Sequence, residues 1–400
     1  LWIPMAWFPV LMGSGNRTAL GILGVATLLH LFGNMSSPAW QSWMADLVPA
    51  NVRGVFFAWR GRLFSLSMLV GSILIAFVLP RNPDVPHMSL LLLSLFTIAS
   101  LAGLMEIRLY RKIVDPAESQ TSRTDWRTFA VPLRNRDFRV FLGFNLLNVS
   151  GVALLGPFLW MHFLTALRMG GLRTTLMLQS APLLATILIS PLLGRALDEF
   201  GAKPLMRIGI WGGVGLSLGW FFIGPSDWML GMLLAGVIQI FWSFMEQANF
   251  LLLMRYSSRR DGAQPVVYST VFNLSVALAG ALAGYLGGDL AQRLNESVWV
   301  KALAERLQPL PFSPYLILLL IGCGLRFLAG SLFARRLGEI DAADTGTAFW
   351  HVSRRMAASL QTTLWLPFRG ILSFIPRPQR DVVLPLPADK PSEPEDATRG

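Results

Sequence analysis

Apolar residues dominate this chain in long blocks separated by short polar breaks. The blocks run over residues 1–13, 18–47, 56–80, 88–109, 138–166, 172–195, 204–224, 227–254, 265–288 and 314–336. A helix needs about 20 apolar residues to cross the hydrocarbon core of a bilayer, and all but the first block supply that length. The runs are too long and too uniformly apolar for barrel strands, which alternate over about ten residues. Backbone groups in lipid must be satisfied within their own segment, so the blocks are predicted to be transmembrane helices. Trp40, Trp43 and Trp228 stand near block ends, where interfacial aromatics belong.

Orientation follows from the basic residues. The breaks at 48–62, 108–139, 195–207 and 255–260 hold 17 Lys and Arg, and the alternate set holds 7. The first set is therefore expected on the cytoplasmic side, together with the C-terminus. The block 1–13 is short for a span, and the chain begins at Leu1 with no basic leader, so the sequence reads as starting inside a helix. The segment 110–137 is the longest and most polar of the cytoplasmic breaks, with Lys112, Asp115, Glu118, Arg123, Asp125 and Arg127. It divides four spans from six. Beyond about 340 the character changes again. Phe349, Val352, Met356, Leu360 and Leu364 recur at helical spacing with Arg354 and Arg355 off that stripe, which predicts an amphipathic helix on the membrane surface or on the bundle ends. The Pro-rich acidic stretch from Leu384 reads as disordered.

Composition agrees with this picture. The 400 residues are 53% apolar and 14% charged, with a net charge of +11, and mean hydropathy is +0.52. The excess positive charge lies in inter-span breaks and excludes nucleic acid as the implied partner. The single cysteine, Cys323, sits in an apolar block and has no intrachain partner. No metal-binding or phosphate-binding motif, nucleophile elbow or nucleophile–base constellation is present, so no metal, no cofactor and no enzymatic activity are expected. His30, His87, His162 and His351 are scattered along the chain.

The most specific segment is Gly194-Arg-Ala-Leu-Asp198-Glu-Phe-Gly201-Ala-Lys203. Gly194 permits close helix approach, Asp198 can accept from the N–H groups of a neighbouring helix start, Gly201 can reverse the chain, and Arg195 and Lys203 mark the cytoplasmic face. The spacing resembles the cytoplasmic loop between transmembrane helices eight and nine of the major facilitator superfamily. A second resemblance to that family lies in Pro38-Ala-Trp-Gln-Ser-Trp-Met-Ala-Asp46-Leu-Val-Pro49-Ala-Asn-Val-Arg53-Gly54, which is similar to its helix-four to helix-five junction. The block 56–80 lacks the Gly-Pro-x-x-Gly-Gly cluster of the family's drug/proton antiporters.

The resemblance implies an all-α polytopic bundle of two pseudo-symmetric halves, with about ten of the family's spans, helices three to twelve, represented here. The expected organisation is a partial first half over 1–109, a central cytoplasmic loop over 110–137, a second half over 138–340 and a cytoplasmic tail over 341–400. It further implies a secondary active transporter of a small solute by alternating access, in a bacterial cytoplasmic membrane and monomeric, with a coupling proton or cation left open. A non-transporting receptor or scaffold that keeps the fold is the alternative. The cytoplasmic gate is assigned to Asp46, Arg53, Gly54, Gly194, Arg195, Asp198, Gly201, Lys203 and Glu246. Glu246 is taken as the counterpart of Asp46, with Arg195 or the Asp198 segment as its partner. Candidate cavity residues near mid-membrane are His30, Asn34, Asn145, Asn148, Gln179, Gln239, Trp242 and Asn273. As a set of amides and imidazoles they point to a neutral or polar substrate rather than a strongly charged one. Glycines at 280, 284 and 288, at 209 and 213, and at 215 and 219 read as stripes for helix packing.

Overall fold

The computed structural model describes residues 3–5, 7, 13, 15–78, 88–113, 126–257, 265–307, 310–334, 336, 345–351 and 354. Among these the secondary structure is helical throughout. We label the long helices α1 (Asn16–Leu47), α2 (Arg53–Val78), α3 (Met88–Tyr110), α4 (Arg136–Met161), α5 (Gly171–Phe200), α6 (Ala202–Phe222), α7 (Trp228–Ser257), α8 (Pro265–Glu296) and α9 (Pro314–Ala329). All belong to the first of two compact units, Leu1–Ser353. Eight helical stretches among the described residues are long and apolar enough to cross a membrane. They match eight of the blocks read from the sequence. The ninth, 56–80, is α2, whose first ten residues carry Arg53, Arg60 and Arg62. Most of 1–13, residues 114–125 of the polar connection, and most of the amphipathic and acidic tail lie outside the described residues.

Several helices outrun their apolar blocks. Hydropathy marks the segment within hydrocarbon, whereas hydrogen bonding carries the helix on into the interface, as from 288 to Glu296. Local chemistry sets the ends. The Asn135 side chain caps α4, its Oδ1 accepting from the Asp137 and Phe138 amides at 3.0 and 3.2 Å, and Asp137 adds an acidic group to the first turn. α5 ends at Gly201, whose φ of 83° favours a residue without Cβ. Three π-helical turns interrupt or extend the helices, at His162–Ala166, Leu176–Ser180 and Gly330–Ala334.

Glycines set the closest crossings. At α4 and α9, a Cβ on Gly151 would lie 2.6 Å from the Gly322 carbonyl, and one on Gly322 would lie 2.6 Å from the Gly151 carbonyl. On α6, a Cβ on Gly209 would lie 2.6 Å from the Phe241 carbonyl oxygen of α7. By contrast, a Cβ on Gly215, Gly284 or Gly288 would meet nothing within 4 Å among the described residues, so those parts of the expected glycine stripes are not crossings between described helices. Glycine periodicity marks where close approach is allowed, not where a neighbour takes it up. Gly151→Ala is expected to destabilise the protein by about 1–3 kcal/mol, because two backbones must separate to admit the methyl. A lowered unfolding midpoint in detergent, with unchanged helix content, is the check.

Aromatic side chains fill one end of the bundle. Phe138 and Phe141 on α4, Tyr256 on α7, and Tyr268 and Phe272 on α8 form a continuous cluster with ring centroids 5.0 to 5.8 Å apart between helices. Such contacts contribute about 0.5–1.5 kcal/mol each beyond area burial. Many large apolar side chains of α1, α3 and the outer face of α8 remain exposed, among them Leu20, Leu31, Ile98, Met105, Leu274 and Leu282. In a chain of this composition those faces meet lipid.

Candidate functional site: a helix-end seam and an inner cavity

Two features stand out, and the seam comes first. The Asp198 carboxylate is placed by the last turns of α5. Its Oδ1 accepts from the Gly54 amide at 2.8 Å and its Oδ2 from the Val55 amide at 2.9 Å. These are the first free N–H groups of α2, where the helix dipole is positive, so the carboxylate caps a helix 143 residues or more away in sequence. The polar break at 195–207 is therefore mostly helix. α5 continues through Asp198 to Phe200, and the reversal is confined to Gly201. The end of α5 repels a carboxylate, and the start of α2 offsets that cost.

The contact requires two glycines. A Cβ on Gly54 would collide with the Asp198 carboxylate, and one on Gly194 would lie 2.8 Å from the Val55 Cα and 3.1 Å from the Gly54 oxygen. Arg53 points the other way, its Nε donating to the Val48 carbonyl at the end of α1 at 2.9 Å. That cation at a helix C-terminus fixes the α1–α2 turn. Below it, Trp40 on α1, Phe57 on α2 and Phe250 on α7 meet with centroids 4.7 to 6.3 Å apart. Arg60 lies over the Trp40 ring at 4.4 Å. Gln41 on α1 accepts from Asn273 on α8 at 3.2 Å. One end of the bundle is thus closed between α1–α2 and α5, α7 and α8 by a capped helix, an aromatic cluster and one amide pair.

The other gate candidates are placed as follows. Arg195 is exposed, and Lys203 is half-buried at the start of α6. Glu246 on α7 is exposed by surface area, although many protein atoms surround it. Among the described residues it forms no ion pair with Arg195 or other cations. The Asp46 side chain lies outside the described residues.

The second feature is an open-mouthed cavity of about 200 Å³ lined by α4, α5, α6, α7 and α9. Its walls are largely apolar, including Val152, Leu155, Leu178, Ile238, Trp220 and Trp242, and its polar side chains are Ser217, Gln239 and Arg326. Arg326 comes from the middle of the apolar block 314–336 and is only 2% exposed. Its Nε donates to Asn148 Oδ1 on α4 at 3.3 Å, and its guanidinium lies 5.3 Å from the Trp242 ring centre. Its aliphatic stem passes Gly151, and Nη2 faces the bare Cα of Gly213. Nη2 has no hydrogen-bond partner among the described residues.

Of the cavity candidates, Gln239 and Trp242 line this space, and Asn148 holds its arginine. Gln239 is itself held by Thr186 and Ser243, at 3.2 and 3.4 Å. The remaining candidates lie elsewhere. His30 is exposed on α1, and the Asn34 side chain lies outside the described residues. Asn145 bonds back to the Phe141 carbonyl of its own helix at 2.9 Å, and Gln179 is half-buried in a π-turn without lining the cavity. Asn273 belongs to the seam. Depth in the sequence sets a residue's level in the bundle but not its direction around the helix. Sequence reasoning passed over Arg326, and the available signal was a lone cation inside an otherwise apolar span. Among the described residues no group of three His, Cys, Asp or Glu is placed to hold a metal ion.

The fold and the seam define a polytopic helical membrane protein in which the start of α2 is capped by the end of α5. The sequence matches the major facilitator superfamily over residues 1–284. With that match covering most of its length, the chain belongs to this superfamily of membrane transporters. The family and fold are those of transporters rather than enzymes. No curated protein matches it in sequence. Among solved structures it is similar to a bacterial homologue of the iron transporter ferroportin in an outward-facing state, at 14% identity and a TM-score of 0.54, covering 84% of this chain and 79% of that one.

Proposed function

We propose that this protein is a secondary active transporter that moves a small solute by alternating access, with the Asp198–α2 contact as the latch of its cytoplasmic gate. The observation that carries the reading is the pair of hydrogen bonds from Gly54 and Val55 to Asp198. Two short bonds sit at a glycine-lined crossing where the start of α2 packs along the end of α5. Such a contact can open without unfolding either helix, which alternating access demands.

The two halves are 1–109 and 138–340, joined by the connection 110–137. The basic breaks, the seam and the tail 341–400 face the cytoplasm of a bacterial cell, and the monomer is the working unit. Arg53, Gly54, Gly194, Asp198 and Gly201 build the latch. Arg195 and Lys203 flank it, and Asp46 and Glu246 are the acidic members of the gate. Coupling to a proton or cation would act through one of those two carboxylates.

The test reads conformation and needs no cargo. Spin labels on Val52→Cys and Arg195→Cys, with Cys323 replaced by serine, report the distance across the seam by double electron–electron resonance in nanodiscs. Val52 and Arg195 are both exposed. Two distance populations are expected, a short closed one and a longer open one. A single short population would overturn the reading and favour a static receptor or scaffold.

A further inference from the structure

We propose that the solute is a small amphipathic organic anion, its carboxylate bound by Arg326 and its apolar body lying against the cavity wall. The inference rests on the transporter reading above and names the class of cargo for the inner cavity. A guanidinium buried in a membrane-spanning bundle is costly unless something answers its charge. Around Arg326, Asn148 supplies one neutral acceptor and Trp242 a ring face. No acidic partner stands beside it among the described residues, and Nη2 is left unsatisfied. An arginine that served only to hold α4 to α9 would have its donors met by carbonyls or a carboxylate of those helices.

Two further details shape the site, the first being room for the arginine itself. Gly151 and Gly213 stand where any larger residue would press on the arginine stem or on Nη2. The space beside the guanidinium is walled by Val152, Leu155, Leu178 and Ile238, with Ser217 and Gln239 as its other polar side chains. A planar carboxylate matches the arginine fork. The apolar wall favours a carbon skeleton over a fully hydrated ion. The volume, about 200 Å³, limits that skeleton to a small one. A cation is disfavoured in this cavity by the guanidinium itself. The amides first taken to indicate a neutral solute are otherwise engaged: Asn148 on the arginine, Gln239 on Thr186, and Asn273 on Gln41.

The experiment uses the full-length protein in nanodiscs and thermal unfolding by intrinsic fluorescence. The probes are acetate, hexanoate and benzoate, each paired with its own primary amide, and inorganic phosphate. At least one of the two larger acids is expected to raise the unfolding midpoint saturably, with an apparent affinity about tenfold or more above that of its amide. That difference is expected to vanish in Arg326→Gln and to survive in part in Arg326→Lys. The wild-type comparison of acid with amide decides the matter even if the variants fold poorly. Equal responses to acids and amides, no response to any acid, an unchanged preference in Arg326→Gln, or a phosphate response matching the acids would overturn the inference. Two seam distances without an acid response would leave the transporter reading standing and remove the charge assignment. One seam distance with an acid response would do the reverse.

Discussion

Asp198→Asn is expected to shift the seam toward its open state about five- to thirtyfold. The carboxylate meets two backbone donors at the start of α2, and each accepts a different N–H. An asparagine can offer one oxygen, and its amino group must then face the second donor. Loss of a partly buried cap and of its charge on a helix N-terminus costs about 1–2 kcal/mol. Charged against the closed state alone, that energy moves a two-state ratio by the stated factor. In the Val52–Arg195 distance measurement the short population should shrink, with the helix content unchanged. Asp198→Glu should behave as a milder version, since its charge is kept but its reach is wrong by one methylene. An undiminished short population in Asp198→Asn would show that the hydrogen bonds are incidental to closure.

A larger effect is expected from Gly194→Val. Asp198→Asn weakens an attraction, whereas a branched side chain at 194 fills the crossing itself. Its Cβ alone would meet the Val55 Cα at 2.8 Å and the Ala58 Cβ at 3.0 Å, and the first of these is backbone that cannot rotate aside. Closure then needs the two helices to part along their length, at a cost beyond the usual 1–3 kcal/mol of overpacking. The short seam distance should disappear, and flux of whatever solute the protein carries should fall at least about tenfold. Gly215→Ala on α6 is the matched control, because a Cβ there would meet nothing within 4 Å among the described residues. It should leave both readouts alone. Retention of the short distance in Gly194→Val would mean that the gate closes elsewhere.

Most of the fold was legible in the sequence because lipid imposes a simple rule: a long apolar run must be a helix. The latch residues were legible in a different way. A glycine, an acid and a second glycine at that spacing also suit an ordinary charged turn, and the resemblance to the family's loop is what singled them out. What the sequence hid was direction. His30, Asn145 and Asn273 have suitable depth, yet one is exposed, one bonds its own helix and one sits at the seam. Glu246 was expected beside a cation and has none among the described residues. Arg326 was hidden differently. Within 314–334 it is the one charged residue in a run otherwise long enough to span, so averaging over the window erased the one group that gives the cavity a sign.

The π-turn at Leu176–Ser180 carries a consequence for anyone scanning this wall of the cavity by mutation. A turn that takes in an extra residue rotates everything beyond it by roughly 100° relative to an uninterrupted α-helix. Leu178 lies within that turn and Pro182 just after it, and both reach the cavity. A substitution series from 171 to 200 should therefore show two phases of sensitivity instead of one. Sensitive positions before the turn will not predict those after it by steps of three and four, and a single amphipathic pattern fitted to the whole helix would assign half of its residues to the wrong side.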